Sequence, residues 1–236
     1  MLNSIAKYYE IRCAVRFVAL SDTHLYRPGI PDGDVLIHAG DICASGSIKE
    51  FKSEIAWLAT RHNHEHIIYI PGNHDRCVES DLNECALICR EYGIQMLVDT
   101  VLDVRGIKLF GCPHTPVFMN WAFMHTREQA DRHWSFGASL YGDCDIWVTH
   151  GPPYGVFDSC PLPAGCKYLL DAVKSAKPTV HLFGHIHEGS GMRKRIDDTL
   201  FANIAVLDGH YCPAAPPFVF DLTKNADSGK VSITFD

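Results

Sequence analysis

Five short apolar runs in this chain each stop at residues able to ligate a metal or move a proton, and this recurrence limits the fold more than any other feature. Arg16-Phe17-Val18-Ala19-Leu20 leads into Ser21-Asp22-Thr23-His24, and Asp34-Val35-Leu36-Ile37-His38-Ala39 into Gly40-Asp41. His66-Ile67-Ile68-Tyr69-Ile70 leads into Pro71-Gly72-Asn73-His74-Asp75. Asp145-Ile146-Trp147-Val148 leads into Thr149-His150-Gly151-Pro152-Pro153, and Thr179-Val180-His181-Leu182-Phe183 into Gly184-His185-Ile186-His187. Short runs that are apolar throughout, without alternation, are the mark of strands buried on both faces.

Helical segments lie between them. Over Ile48 to Thr60, the residues Ile48, Phe51, Ile55 and Leu58 share one face. Leu82 to Tyr92 reads as a helix with Gly93 after its end, and Tyr168 to Ser175 as a short one stopped before Pro178. Val101–Val104 and Ile107–Phe110 flank a hairpin break at Arg105-Gly106, and late strands follow around 200–205, 218–221 and 231–235. Strands alternating with helices predict an α/β fold with sheets covered by helices, and the β-rich tail adds a mixed character. No repeat, low-complexity stretch or linker interrupts the 236 residues, so the reading is a single domain over 1–236.

Composition narrows the class. With 47% hydrophobic and 21% charged residues, the chain is neither disordered nor a coiled coil. No apolar run approaches the ~20 residues of a membrane span, and the first twenty residues lack the h-region and cleavage site of a signal peptide. A cytoplasmic protein without a membrane partner is expected. The net charge of −7 disfavours nucleic acid as a partner. The ten cysteines contain no CxxC pair. The nearest spacings, Cys85/Cys89 and Cys160/Cys166, read as reduced, mostly buried thiols.

The fourteen histidines are the better lead. In open α/β sheets, ligands gather beyond the carboxyl ends of strands. Here that rule assembles Asp22, His24, Asp41, Asn73, His74, Asp75, His150, His185 and His187. In an extended Asp-Thr-His segment, period two points Asp22 and His24 to one side. Gly40, Gly72 and Gly184 allow close backbone approach next to Asp41, Asn73 and His185. The carboxylate, imidazole and amide oxygen donors suit two divalent ions (Mn, Fe, Zn or Mg, with Mn favoured), and Asp41 is the carboxylate best placed to bridge them.

These motifs, D-x-H, G-D, G-N-H-D, a lone H and G-H-x-H, resemble the signature of the calcineurin-like metallophosphoesterase superfamily over residues 16–190. The resemblance implies a four-layer α/β/β/α sandwich of two mixed sheets. It implies one metal on Asp22, His24, Asp41 and His187, and the other on Asp41, Asn73, His150 and His185. It also implies that His74 is the acid at the leaving oxygen, oriented by Asp75. Pro31 to Asp41, Gly111-Cys112-Pro113-His114-Thr115-Pro116, Asn120 to Phe123 and Thr149 to Pro153 with Asp158 resemble the class III phosphodiesterase-like branch, the metallophosphoesterase-domain-containing proteins. That branch implies hydrolysis of nucleotides, cyclic ones included, or of similar small phosphodiesters through a metal-bound hydroxide. His114 and Cys112 depart from the branch, at positions of the substrate pocket.

Two alternatives keep the fold and change the function. A protein serine/threonine phosphatase would carry G-D-x-x-D-R-G and G-N-H-E, whereas Gly40-Asp41 is followed by Ile42-Cys43-Ala44-Ser45-Gly46 and the later motif ends in Asp75. A non-catalytic interaction module would show lost ligands, and none is lost. Outside the motifs, Arg61-His62-Asn63-His64-Glu65-His66 precedes its strand and reads as a solvated loop. His38 and His181 read as core or supporting histidines, and His125, His133 and His210 show no partner pattern. Phe118, Trp121, Phe123 and Trp134 could line a stacking pocket, Trp121 ahead of the other three, although aromatic residues more often belong to the core.

Overall fold

The computed structural model describes residues 14–60, 63–225 and 227–235. Arg61, His62 and most of the segment tested for a signal peptide lie outside them. Two six-stranded sheets carry the architecture. The first is built from β1 (Val15–Leu20), β2 (Val35–His38), β3 (His66–Tyr69), β4 (Ile94–Met96), β13 (Phe218–Lys224) and β14 (Val231–Thr234), in the order β14-β13-β1-β2-β3-β4. The second is built from β5 (Thr100–Val104), β6 (Ile107–Cys112), β9 (Ile146–Thr149), β10 (Val180–Phe183), β11 (Arg193–Ile196) and β12 (Thr199–Asn203), in the order β11-β12-β10-β9-β6-β5. In each, a parallel block is flanked by antiparallel strands: β1 to β4 beside β13, and β6, β9, β10 and β12 between β5 and β11. Between β6 and β9 a two-stranded parallel ribbon, β7 (Thr115–Pro116) and β8 (Met124–His125), stands apart from both sheets.

Alternation along the strands sorts side chains into layers. Phe17, Ala19, Val35 and Ile37 of the first sheet meet Leu109, Ile146, Val148 and Leu182 of the second in one core. The opposite faces carry Val18, Leu20 and Leu36, which pack on α1 (Ile48–Thr60), α2 (Arg76–Ser80) and α3 (Leu82–Glu91) through Phe51, Ile55, Val78, Cys85 and Ile88. Phe110, Trp147 and Phe183 pack outward on α4 (Arg127–Tyr141) and α5 (Lys167–Ala176) through Ala130, Trp134, Leu169 and Val173. The result is the α/β/β/α sandwich of two mixed sheets that the resemblance implied.

The strand and helix readings hold to within a few residues, but α4, at 15 residues the longest helix described, was not read from the sequence. Its inward stripe, Ala130, Trp134 and Gly137, is broken up by Arg132, His133 and Ser135 and by the exposed Phe136 and Leu140. A capping box did mark its start: Thr126 accepts from the amide of Gln129, whose side chain accepts from the amide of Thr126. Cys85, Cys89, Cys112, Cys144 and Cys166 are buried, as expected of small apolar thiols, whereas Cys160 and Cys212 are exposed.

Each sheet also holds one fully buried histidine on a parallel strand. His38 lies 3.0 Å from the Thr23 hydroxyl, and His181 lies 2.9 Å from the Thr149 hydroxyl. Thr149 donates its own proton to the Gly151 carbonyl at 2.7 Å, so His181 Nε2–H must be the donor in the second pair. Burial pushes the His181 imidazole from its ordinary 6.5 down to about 3. Between those values the unfolded chain binds a proton that the folded chain does not. Stability from this residue is therefore complete above about 6.5 and is lost as pH falls toward 3, by ~2 kcal/mol at pH 5. Urea unfolding of the wild type and of His181→Phe at pH 7.5 and 5 should show the acid loss shrinking by about that amount in the variant. An equal loss in both would place the acid sensitivity elsewhere.

Candidate metal centre

The strand ends reach the site through backbone that L-residues adopt at a cost. Asp22 (φ 54°), His24 (φ 44°), Asp41 (φ 55°) and His185 (φ 65°) all lie in the left-handed region. The extended geometry expected of Asp-Thr-His is therefore not what points Asp22 and His24 together: β1 ends at Leu20, and two left-handed residues turn both side chains inward while Thr23 faces His38. Hydrogen bonds hold these turns. The Asp22 amide donates to the Gly40 carbonyl at 2.9 Å and the His24 amide to the Asp41 carbonyl at 3.0 Å. Both oxygens of Asp22 accept from the His185 amide at 3.0 Å. A turn closed by the Asp75 amide on the Gly72 carbonyl at 3.1 Å breaks strand alternation, so Asn73 and His74 both face the site.

Two glycines are dictated by this crowding. Gly40 has φ 97°, and a Cβ there would lie 2.6 Å from His150 Nδ1. A Cβ on Gly184 would overlap the carboxylate of Asp22 and the hydroxyl of Ser21.

The histidines are oriented by one repeated device. Nδ1 of His24, His74, His150 and His187 stands 3.1, 2.7, 2.9 and 3.0 Å from the carbonyls of Cys43, Ala44, Ala39 and Asp208. A carbonyl only accepts, so each Nδ1 carries the proton, and in the neutral ring Nε2 keeps the lone pair. These lone pairs meet other acceptors. His24 and His187 Nε2 are 3.3 Å apart, His187 Nε2 is 3.5 Å from Asp22 Oδ1, and His150 Nε2 is 2.8 Å from Asn73 Oδ1. Asp41 lies between, with one oxygen 3.7 Å from His24 Nε2 and the other 3.4 Å from His150 Nε2. Donor atoms of Asp22, His24 and His187 fall in one group, and those of Asp41, His150 and His185 in another. The seven residues expected to ligate metal are thus brought together in two lobes around Asp41. With the rings neutral, so many lone pairs converging on two lobes fit two divalent cations.

The charges agree. Burial alone would raise the carboxyl of Asp22, but His187 and His150 hold it well below the usual range. Asp41 is likewise held low against its burial, chiefly by His150. Burial opposes protonation of His150 and His187, yet the facing carboxylates push both up to about 9, so the centre draws positive charge. His185 is pushed down to about 4 by burial and by the charge of His150.

The expected pairing of Asp75 with His74 is corrected. Asp75 is fully buried, and its two oxygens accept from the amides of Asp41 (2.9 Å), Cys43 (2.9 Å) and Gly72 (2.7 Å), which leaves the orientation of His74 to the Ala44 carbonyl. Burial and the nearby charge of Asp41 push the Asp75 carboxyl up to about 6. Its position is structural: it fixes the loops that present Asp41 and Asn73.

Above the lobes opens a cleft of about 890 Å³ with His24, Asp41, Asn73, His74, His185 and His187 along its floor. The loop joining β7 and β8 forms one wall. Trp121 stacks on His74 (4.1 Å between ring centres, 24° between planes), and Arg76 lies 5.5 Å from the indole, so Trp121 braces the acid candidate. Phe118 lines the cleft and is 59% exposed, free to stack, whereas Phe123 and Trp134 are buried in the core and line no stacking pocket. His64 and His66 lie at the amino-terminal end of β3, away from the site. Sequence reasoning missed Tyr211, whose ring stands 5.0 Å from both His24 and His187; it follows no strand and carries no motif. It also missed that His114, His125 and His133 come together. Burial and the other two rings push His125 down to about 4.

Comparison with known proteins agrees with this geometry. Metallophosphoesterase domain-containing protein 1 of Homo sapiens is 35% identical over 90% of this chain and 72% of its own length. A UPF0046 protein of Caenorhabditis elegans is 34% identical over 88% of this chain and 81% of its own. Among solved structures, the phosphopantetheinyl hydrolase of Mycobacterium tuberculosis shares the fold at 16% identity, with a TM-score of 0.60 over 85% of this chain and 92% of that one. Residues 15–189 match the calcineurin-like phosphoesterase family as a whole, and by that match and the 35% identity the chain belongs to it.

Proposed function

We propose that this phosphoesterase acts on small phosphodiesters, cyclic nucleotides among them, with Asp22, His24, Asp41, Asn73, His150, His185 and His187 holding two divalent ions, manganese favoured. The observation that carries the reading is the set of Nδ1–H anchors that aim imidazole lone pairs at two lobes sharing Asp41. When bound, such ions polarise the phosphoryl oxygens and acidify the attacking water. The rest falls to the chain's own groups. His74 stands beside the shared carboxylate with Nε2 open to the cleft, where it can give a proton to the leaving oxygen. Because the Ala44 carbonyl takes Nδ1–H, His74 is an acid only as the imidazolium. Trp121 holds the ring in place, and Arg127 and Lys167 at the rim offer positive charge to a phosphate.

The cleft size suits a nucleotide-sized ligand. The small molecule is favoured over nucleic acid by the net charge of −7. No described helix is long and apolar enough to cross a membrane.

Asp41→Asn should lose two divalent ions per chain relative to the wild type, with activity lost in parallel, as elemental analysis of desalted protein would show. Retention of both ions would end the shared-ligand reading. His74→Asn should lower kcat by about 10²–10⁴-fold while keeping those ions, with a smaller loss for p-nitrophenolate than for alkoxide leaving groups. A loss independent of the leaving group would make His74 a charge stabiliser, and a loss of metal would make it a ligand. Phe118→Ala should raise KM for 2′,3′- or 3′,5′-cyclic nucleotides by roughly 5–150-fold and leave bis(p-nitrophenyl) phosphate nearly unchanged, since base stacking contributes about 1–3 kcal/mol. A phosphopeptide turned over faster than any diester would move the assignment to a protein phosphatase.

A further inference from the structure

Outside the cleft floor, one cluster gathers metal-ligating side chains that the proposed reaction does not use. It joins Asp99 after β4, Cys112 at the end of β6, His114 before β7, His125 in β8 and His133 in α4. Ligand atoms of His114, His125 and His133 lie within 4.8 Å of one another, and so do those of Asp99, Cys112 and His114. His114 Nε2 stands 2.8 Å from Asp99 Oδ2. His133 Nε2 is 3.5 Å from Asp99 Oδ1 and 3.6 Å from Cys112 Sγ. The rings of His114 and His125 stack at 3.8 Å, and each stands 5.1 Å from the ring of His133.

Hydrogen bonding leaves this cluster incomplete. Asp99 Oδ1, His114 Nδ1 and His125 Nδ1 are buried without a hydrogen-bond partner. Buried polar atoms are rarely left so, because each gives up the hydrogen bonds it had in water without replacing them. The 3.5 Å from His133 Nε2 to Asp99 Oδ1 matches the edge of a tetrahedron, since nitrogen and oxygen ligands about 2.0–2.2 Å from zinc stand about 3.3–3.6 Å apart. Three imidazoles beside one carboxylate are a borderline donor set, unlike the oxygen-only sets of magnesium and calcium.

We propose that His114, His125, His133 and Asp99 form a separate site for one zinc-class divalent ion, with Cys112 packed beside it. The site would be structural in effect. It ties α4 and β8 to the end of β6 and to the loop after β4, and so fastens the wall that carries Phe118 and Trp121. Occupancy should therefore act on substrate affinity through the wall more than on the rate of the chemical step.

The test uses Asp41→Asn as background, so that the lobes around Asp41 do not mask the signal. Metal-stripped Asp41→Asn titrated with cobalt(II) should take up one equivalent with the intense visible absorption of a tetrahedral site, and zinc should displace it. Adding His125→Phe, which keeps an aromatic ring against His114, should abolish both the absorption and the equivalent. Wild-type protein loaded with zinc should hold one more ion per chain than His125→Phe, and should melt at a higher temperature only when loaded. This second arm keeps the test decisive if Asp41→Asn fails to fold. A folded Asp41→Asn protein that binds no cobalt, or equal zinc content in wild type and His125→Phe, would overturn the site.

Discussion

The site depends on a joint between the two sheets at Ser21. Sheets packed face to face stand about 10 Å apart, whereas ligands of one ion must come within a few ångströms of each other. At the carboxyl end of β1 the gap is closed by backbone: the Ser21 amide donates to the Ile204 carbonyl at 2.9 Å, and the Val206 amide donates back to the Ser21 carbonyl at 3.1 Å. One residue later, Asp22 accepts from the His185 amide with both oxygens. Gly184 has no side chain because Ser21 and Asp22 already occupy that space. From this joint outward, Asp22 and His24 of one sheet can share a lobe with His187 of the other.

The joint brings together groups that repel. Left-handed backbone at Asp22, His24, Asp41 and His185 costs of order 1–3 kcal/mol at each residue, and the sum is comparable with the whole net stability of a domain. The like charges of Asp22 and Asp41 add to that cost. The strain is met in two ways. The double-sheet core and the two helix-facing cores anchor the strands up to their last residues. The Asp75 carboxylate, spread over the amides of Asp41, Cys43 and Gly72, locks two of the loops together. What remains is an excess of lone pairs around Asp41, which cations relieve, so metal binding and the shape of the centre belong to one energy balance.

The catalytic half of this arrangement was legible because its residues follow unmistakable strands at fixed offsets. Asp22, Asp41, Asn73, His150 and His185 could be placed from the apolar runs before them, whereas the four-layer arrangement of two sheets came only with the family resemblance their motifs carry. What could not be read was contact between distant segments. Nothing in the order of residues says that Asp75 turns to three amides rather than to its neighbour His74, nor that Ala44 takes that role. The reasoning that Asp-Thr-His lies extended reached the correct side of the chain through the wrong geometry, because left-handed turns also place alternate residues together. The stretch from 113 to 141 was least legible. Its ribbon strands are two residues each, α4 carries a thin apolar stripe, and His114, His125 and His133 meet only through tertiary packing.

That division has a physical cause. Chemistry that needs positions fixed to a fraction of an ångström is held at the ends of buried parallel strands, where each anchor is a backbone carbonyl or amide. The wall of the cleft is a different kind of structure, the loop between β7 and β8, where Phe118 and Met119 are exposed and no large sheet supplies a ladder. A wall of that kind must be fastened from behind to act on substrate. Within it, Trp121 already leans on His74 in front, while His125 and His133 face one another behind. The same segment therefore bears on the acid candidate with one side and on the histidine cluster with the other, which couples the shape of the substrate wall to the position of His74.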